Sequence, residues 1–309
     1  MGAHHHHDHG HHHGHGHAPA DFGRAFAVGM ALNLVYVAAE AGYGLASHSL
    51  ALLADAAHNL GDVLGLAAAW GAAVLARRKP GGRYTYGLRR ASILAALGNA
   101  VLLLVVTGGV AAEALRRFWE PQEPAGLVMV AVAAVGIGVN GGTALLFLRG
   151  RHGDINVRGA FLHMVADALV TAGTVLAGAL IVWTGWGWID PLVSLAISAV
   201  IVAGTWSLLR DAVNLSLDAV PSGIEPGEVE AYLRALPAVR SVHDLHIWAL
   251  GSTDVALTAH LVRGPVGDDD LLRRVPGELR QRFGIGHVTI QVESEAVAAG
   301  CALRPDHVV

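Results

Sequence analysis

Apolar residues fall into two regimes along this chain. Between Phe26 and Leu209 they form six long runs, Phe26–Leu45, Leu50–Ala76, Ala91–Leu115, Gly126–Leu148, Ala160–Trp183 and Ile189–Leu209. Each is close to the ~20 residues that a helix needs to cross the hydrocarbon core of a bilayer. Beyond Leu209 the pattern shortens. Glu225–Leu236 places Val229, Leu233 and Leu236 on one helical face, with Pro226 near its start. Val239–Leu250 and Val255–Val262 alternate as strands do, Asp268–Phe283 has helical spacing, and His287–Val292 alternates again. The order α-β-β-α-β predicts a small α+β sandwich. The expected architecture is an α-helical membrane protein with six transmembrane helices over residues 21–212 and a compact domain over 213–309.

The loops orient the runs. Arg77, Arg78, Lys79, Arg83, Arg89 and Arg90 lie between the second and third, and Arg149, Arg151 and Arg158 between the fourth and fifth. The opposite loops offer Arg116 and Arg117 beside Glu120 and Glu123. Positive charge collects on the cytoplasmic side, so both termini are expected there, in an inner or plasma membrane. Trp183, Trp186 and Trp188 mark the other interface.

Composition agrees: only 15% of residues are charged, against about 25% in soluble domains. The formal net charge of -4 averages a basic membrane half with an acidic remainder and points to no partner. A lone cysteine, Cys301, excludes an internal disulfide framework and Cys-rich zinc folds. Residues 1–20 are rich in His and Gly, and the longest His run, His4–His7, is broken by Asp8. That interruption favours a disordered, metal-collecting tail over a designed tag.

The chemistry lies where lipid should forbid it. An ionisable side chain at mid-membrane costs ~2.5–3.5 kcal/mol on insertion scales. The second run nevertheless holds Asp55, His58 and Asp62, and the fifth holds His163 and Asp167. Both His–Asp pairs are spaced i, i+4, which stacks the two side chains on one helical face. Two imidazoles and two carboxylates make a tetrahedral set whose charge balances a divalent cation. Zinc suits it; cobalt(II), nickel(II) and cadmium remain possible, whereas magnesium and calcium prefer oxygen-only shells. Inter-helix hydrogen bonding without metal would explain one such pair more easily than two. A zinc protease would carry H-E-x-x-H, which neither helix has. Asp55, one turn before His58, either relays protons, holds His58 in its ligating tautomer or makes a plain structural hydrogen bond. Asn33 and Glu40 share a face of the first run and are candidates to line an aqueous path; Asn99 and Asn140 are candidate inter-helix hydrogen bonds.

These residues sit in longer motifs. SLALLADAAHNLGD at 49–62, RYTYGLRRASILAALGNA at 83–100, NVRGAFLHMVADAL at 156–169, IDPLVSLAISAVI at 189–201, VHDLHIWAL at 242–250 and HVTIQVE at 287–293 resemble the cation diffusion facilitators, in the bacterial cobalt–zinc–cadmium efflux branch. The resemblance implies six spans, a cytoplasmic ferredoxin-like domain, a homodimer, and export of divalent metal against protons. It implies a zinc-preferring transport site at His58, Asp62, His163 and Asp167. It also implies metal on the cytoplasmic domain at His243, His260 and Glu293, with Glu293 standing where relatives have Asp. His287 and Cys301 resemble further ligands, and His246 is a weaker candidate. The loop between the second and third runs lacks His, Asp and Glu, and that between the fourth and fifth, rather than being His-rich, has His152 as its only histidine; a loop-borne metal site is not expected.

Metal binding needs deprotonated ligands, so protons arriving at the site would expel the ion, and a free histidine titrates near ~6.5, within the useful range. Alternating access around a midplane site completes the expected cycle. Not an enzyme, the chain has two competing readings: a membrane-anchored zinc sensor, which leaves the intramembrane ligands unexplained, and a passive metal channel, which would ignore a proton gradient.

Overall fold

The computed structural model describes residues 21–76, 78–148, 155–264 and 270–304. The His-rich tail and His152 lie outside them. Six long helices come first: α1 (Asp21–Ala46), α2 (Leu50–Ala76), α3 (Ala91–Arg116), α4 (Gly126–Leu148), α5 (Ile155–Thr184) and α6 (Ile189–Ser216). Among the described residues, four stretches are long and apolar enough to cross a membrane: Ala91–Arg116, Gly126–Thr143, Asp167–Thr184 and Ile189–Ser216. The outer faces of these helices stay apolar, as with Leu94 and Val105 on α3 and Leu176 on α5. α5 starts five residues before its apolar run and α6 ends seven after it. Hydropathy marks where lipid ends, and a helix can continue past that point into water.

Small residues set the packing. Gly126 of α4 and Gly178 of α5 face each other so closely that a Cβ on either would lie 2.9 Å from the other's carbonyl oxygen. Ala51, Ala54, Ala56 and Ala57 of α2 are buried, and α2 touches α1, α3, α5 and α6. Without a hydrophobic drive between helices in lipid, such close backbone approach is the main source of attraction. It leaves α2 as the central helix, so polar groups on it have neighbours on several sides.

The C-terminal part contains α7 (Pro226–Arg234), β1 (Val239–Ala249), β2 (Val255–Arg263), α8 (Leu271–Phe283), β3 (His287–Ser294) and α9 (Glu295–Ala298). The sheet order is β1-β2-β3, with β1–β2 antiparallel and β2–β3 parallel. Val229 and Leu233 of α7, Leu257 and Leu261 of β2, and Val275 and Leu279 of α8 close one core. Gly284 ends α8 at φ 73, a left-handed cap that glycine adopts without steric cost. The Tyr232 hydroxyl donates to Glu278 at 2.5 Å and pins α7 to α8; burial, with Glu278 beside it, pushes that phenol up to about 12. The short α9 was not evident from periodicity. It is capped by Ser294, whose Oγ accepts the Val297 N–H.

The β1–β2 turn docks on the start of α3. Arg89 pairs with Asp254 at 3.1 Å, the Ser252 N–H donates to Ser92 Oγ at 2.9 Å, and a Cβ on Gly251 would fall 2.9 Å from the Arg89 carbonyl oxygen. Arg90 pairs with Asp218 just after α6.

Candidate metal centres

α2 carries His58 and Asp62 one turn apart, and α5 brings Asp167 against them from the facing helix. His58 Nε2 lies 3.3 Å from Asp167 Oδ1 and 3.8 Å from Asp62 Oδ2. Donors placed tetrahedrally at 2.0–2.1 Å from zinc would stand about 3.3 Å apart, so these separations are close to those of a ligand shell. One donor atom from each of His58, Asp62 and Asp167 lies within 4.8 Å of the others. The three differ in access: the Asp167 side chain is 2% exposed, those of His58 and Asp62 22% and 21%. An ion would meet His58 and Asp62 first. His163 sits one turn before Asp167 on α5, and its side chain lies outside the described residues.

Asp55 is fully buried and faces Glu40 and Thr171. Glu40, a candidate for the aqueous path, is fully buried instead: the Tyr36 hydroxyl donates to its Oε1 at 2.5 Å and Asn59 Nδ2 to its Oε2 at 3.4 Å. Asn33 is buried too. Asn99 Nδ2 donates to the Gly61 carbonyl at 3.3 Å, linking α3 to α2. Asn140 does not make the expected bridge, because neither of its amide atoms finds a hydrogen-bond partner among the described residues.

Sequence reasoning passed over Asp190, which decides where α2 begins. From the first turn of α6 it accepts the Leu50 N–H at 2.8 Å and the Ala51 N–H at 3.1 Å, together with the Ser49 hydroxyl at 2.8 Å. Arg117, read above only as a loop charge, is buried 3.5 Å from it and also donates to the His48 carbonyl. A carboxylate at a helix N-terminus satisfies orphan N–H groups and meets the positive end of the dipole. The available signal was an acidic residue just inside an apolar run; its partner helix, 140 residues away, was invisible.

The second cluster is built by strand register. His243 and His260 pair across β1 and β2, their rings 5.0 Å apart and nearly perpendicular. Glu293 near the end of β3 reaches both, 3.4 Å from His243 Nε2 and 3.2 Å from His260 Nδ1. Cys301 Sγ, brought back by α9, lies 3.8 Å from His260 Nδ1. Donor atoms of these four lie within 4.8 Å of one another. Asp244, not foreseen, sits at φ 52 where the β1 register shifts and approaches His260 Nε2 at 3.4 Å and His246 Nε2 at 2.9 Å. His246 is thereby engaged outside the four-residue group. His287 is not brought in either: it opens β3, exposed, with its ring against Tyr86 at 5.4 Å.

Residues 26–215 match the transmembrane domain shared by cation efflux proteins, and 221–295 match their cytoplasmic domain. The chain belongs to the cation efflux family. Among cation efflux relatives, it is 37% identical over 278 residues to the metal cation efflux system protein CzcD of Cupriavidus metallidurans, covering 89% of this chain and 88% of the relative. It is 38% identical over 275 residues to the zinc transporter ZitB of Escherichia coli, covering 87% and 85%. It is 34% identical over 270 residues to the cadmium, cobalt and zinc/H(+)-K(+) antiporter of Bacillus subtilis, covering 84% and 86%. As a cation efflux protein it is a membrane transporter and not an enzyme.

Proposed function

We propose that this protein exports divalent metal, zinc first, in exchange for protons, and that His58, Asp62, His163 and Asp167 are the transport site. The observation that carries the reading is the meeting of His58, Asp62 and Asp167 across α2 and α5 at ligand-shell distances. The names of relatives as zinc transporter and as cadmium, cobalt and zinc antiporter agree with it. Cadmium, cobalt(II) and nickel(II) fit the same donors less selectively. In this reading α1–α6 all span the membrane over residues 21–212, and the loop charges set both termini in the cytoplasm. Residues 213–309 form an abbreviated ferredoxin-like domain that pairs two copies of the chain, and residues 1–20 collect metal. Ion entry from the cytoplasm loads deprotonated ligands; protons arriving from outside displace the ion.

His243, His260, Glu293 and Cys301 offer two imidazoles, a carboxylate and a thiol, a donor set that zinc accepts. We assign them a resident ion that reports cytoplasmic metal. His287, turned to Tyr86 within the chain, is not part of that assignment.

The test is zinc uptake into inside-out vesicles with an imposed proton gradient. Asp167→Ala should lower zinc affinity and flux at least tenfold. Transport at the wild-type rate in that variant would sink the site assignment, and wild-type flux indifferent to the gradient would favour a passive channel.

A further inference from the structure

One turn from the zinc ligands, towards the start of α2, two more carboxyl groups are sealed in. Glu40 and Asp55 are both 0% exposed and face each other across α1 and α2. Glu40 has donors on each oxygen, Tyr36 and Asn59. Asp55 does not. The Thr171 hydroxyl lies beside Asp55 but also donates to the Asp167 carbonyl at 2.9 Å, and the Glu40 carboxyl is within hydrogen-bonding reach of Asp55; no other donor among the described residues reaches an Asp55 oxygen. The amide oxygen of Asn59, also 0% exposed, is likewise without a donor there.

Charge makes this arrangement incomplete. A buried carboxylate is costly unless paired, and two in contact cannot both stay ionised without a cation between them. α2 and α4 contain no Lys or Arg, and the only one in α1 is Arg24, sixteen residues from Glu40. The titratable groups around Glu40 are Tyr36 on its own helix and Asp55 on α2; beyond Asp55 come His58 and Asp167. α4 contributes Gly136, against Tyr36, and has no titratable side chain. Beyond the neighbouring His58, the balancing positive charge therefore comes from solution, as a proton shared between the two carboxyls or as a cation held between them. The atoms here able to coordinate a cation, the carboxyl oxygens of Glu40 and Asp55 and the amide oxygen of Asn59, are all oxygens, which suits a proton or a hard alkali cation and suits zinc less than the imidazole-bearing site one turn away.

We infer that Glu40, Asp55 and Asn59, steadied by Tyr36, form a second cation site that holds the monovalent counter-ion, a proton or an alkali cation, on the outer side of the zinc site. The inference rests on the antiport reading and deepens it. Metal and counter-ion then occupy neighbouring but separate stations. Zinc leaving His58 and Asp62 passes the station from which the returning charge comes.

The experiment uses the full chain in proteoliposomes, with zinc flux measured under a proton gradient and, separately, a potassium gradient, and zinc affinity measured at equilibrium. Glu40→Gln keeps the shape of the side chain and removes its charge, leaving one oxygen to accept where the carboxylate has two. It should leave zinc affinity within about threefold of wild type while abolishing acceleration by one of the two gradients. Loss of the proton response identifies the ion as a proton, and loss of the potassium response identifies an alkali cation. Asp167→Ala should instead lose zinc affinity, so a failed transport-site assignment and a failed counter-ion site give different results. Tyr36→Phe is the second probe, should Glu40→Gln fold poorly. Without the donated hydrogen bond the Glu40 carboxylate is less favoured, so the midpoint of flux against external pH should rise by about one unit. Wild-type dependence on both gradients in Glu40→Gln, with an unmoved pH midpoint in Tyr36→Phe, overturns the inference. A wild type indifferent to both gradients removes antiport itself and this site with it.

Discussion

Tyr36 can reach Glu40 only because position 136 is a glycine: a Cβ there would stand 2.1 Å from the Tyr36 hydroxyl oxygen. Gly136→Ala should force that ring aside and cost about 1–3 kcal/mol, as overpacking does, seen as a lower Tm in detergent. It should also move the pH profile of transport as Tyr36→Phe does. At the same scale, Cys301 gives the C-terminal cluster a distinguishing optical signature. Cobalt(II) bound there should show thiolate-to-metal charge-transfer absorption, and Cys301→Ser should abolish that band while leaving the intramembrane site loaded; an unchanged band would remove Cys301 from the shell. Single residues were legible in the sequence where lipid makes them costly: His58, Asp62, Asp167 and Asp55 announced themselves as polar groups inside apolar runs. Asp244 did not, because a polar residue on a strand is unremarkable until a register shift turns it towards His260.

At the scale of elements, α2 is held at its beginning by another helix. Asp190 and Arg117 tie its first turn, and His58 follows only two turns later. Asp190→Ala would leave the buried Arg117 guanidinium and the α2 N–H groups unanswered, a loss of about 3–5 kcal/mol by analogy with broken buried pairs. Thermal unfolding in detergent would show it, and zinc affinity should fall in the folded fraction because the His58–Asp167 approach loosens. Helix positions were readable to within seven residues from hydropathy, since a continuous apolar run of about 20 residues has the length of a bilayer-crossing helix. Neither the mutual Gly126–Gly178 contact nor the cap from Asp190 was readable. Both depend on which helices become neighbours, and local periodicity is silent about that.

For the whole molecule, the two halves meet where basic loop residues face acidic ones. Arg89 and Arg90 take Asp254 and Asp218, and the β1–β2 turn lies against the first turn of α3. Exposed ion pairs of this kind contribute little stability each, about 0–1 kcal/mol, so Asp254→Ala should barely change Tm. If docking links the C-terminal cluster to transport, that variant should instead blunt the response of zinc flux to metal on the cytoplasmic domain, measured against Cys301→Ser in a double-mutant cycle. The basic loop was legible as an orientation signal and nothing more; its second use, as a docking strip, needed the turn at Leu250–Asp254 to be placed beside it.

That strip also makes the docked state visible to a protease. Trypsin cuts after Arg and Lys unless proline follows, as it does after Lys79, and the connection between α2 and α3 offers Arg83, Arg89 and Arg90 in quick succession. Cleavage requires the backbone to peel away locally. Arg83 carries no tie to the C-terminal half among the described contacts, whereas Arg89 and Arg90 are clamped by it. The ratio of cuts at Arg83 to cuts at Arg89 and Arg90 is thus a footprint of docking, readable by mass spectrometry in native membranes without labels. It should fall in Asp254→Ala and Asp218→Ala, and its change on adding zinc would show whether the two halves part or tighten as metal arrives.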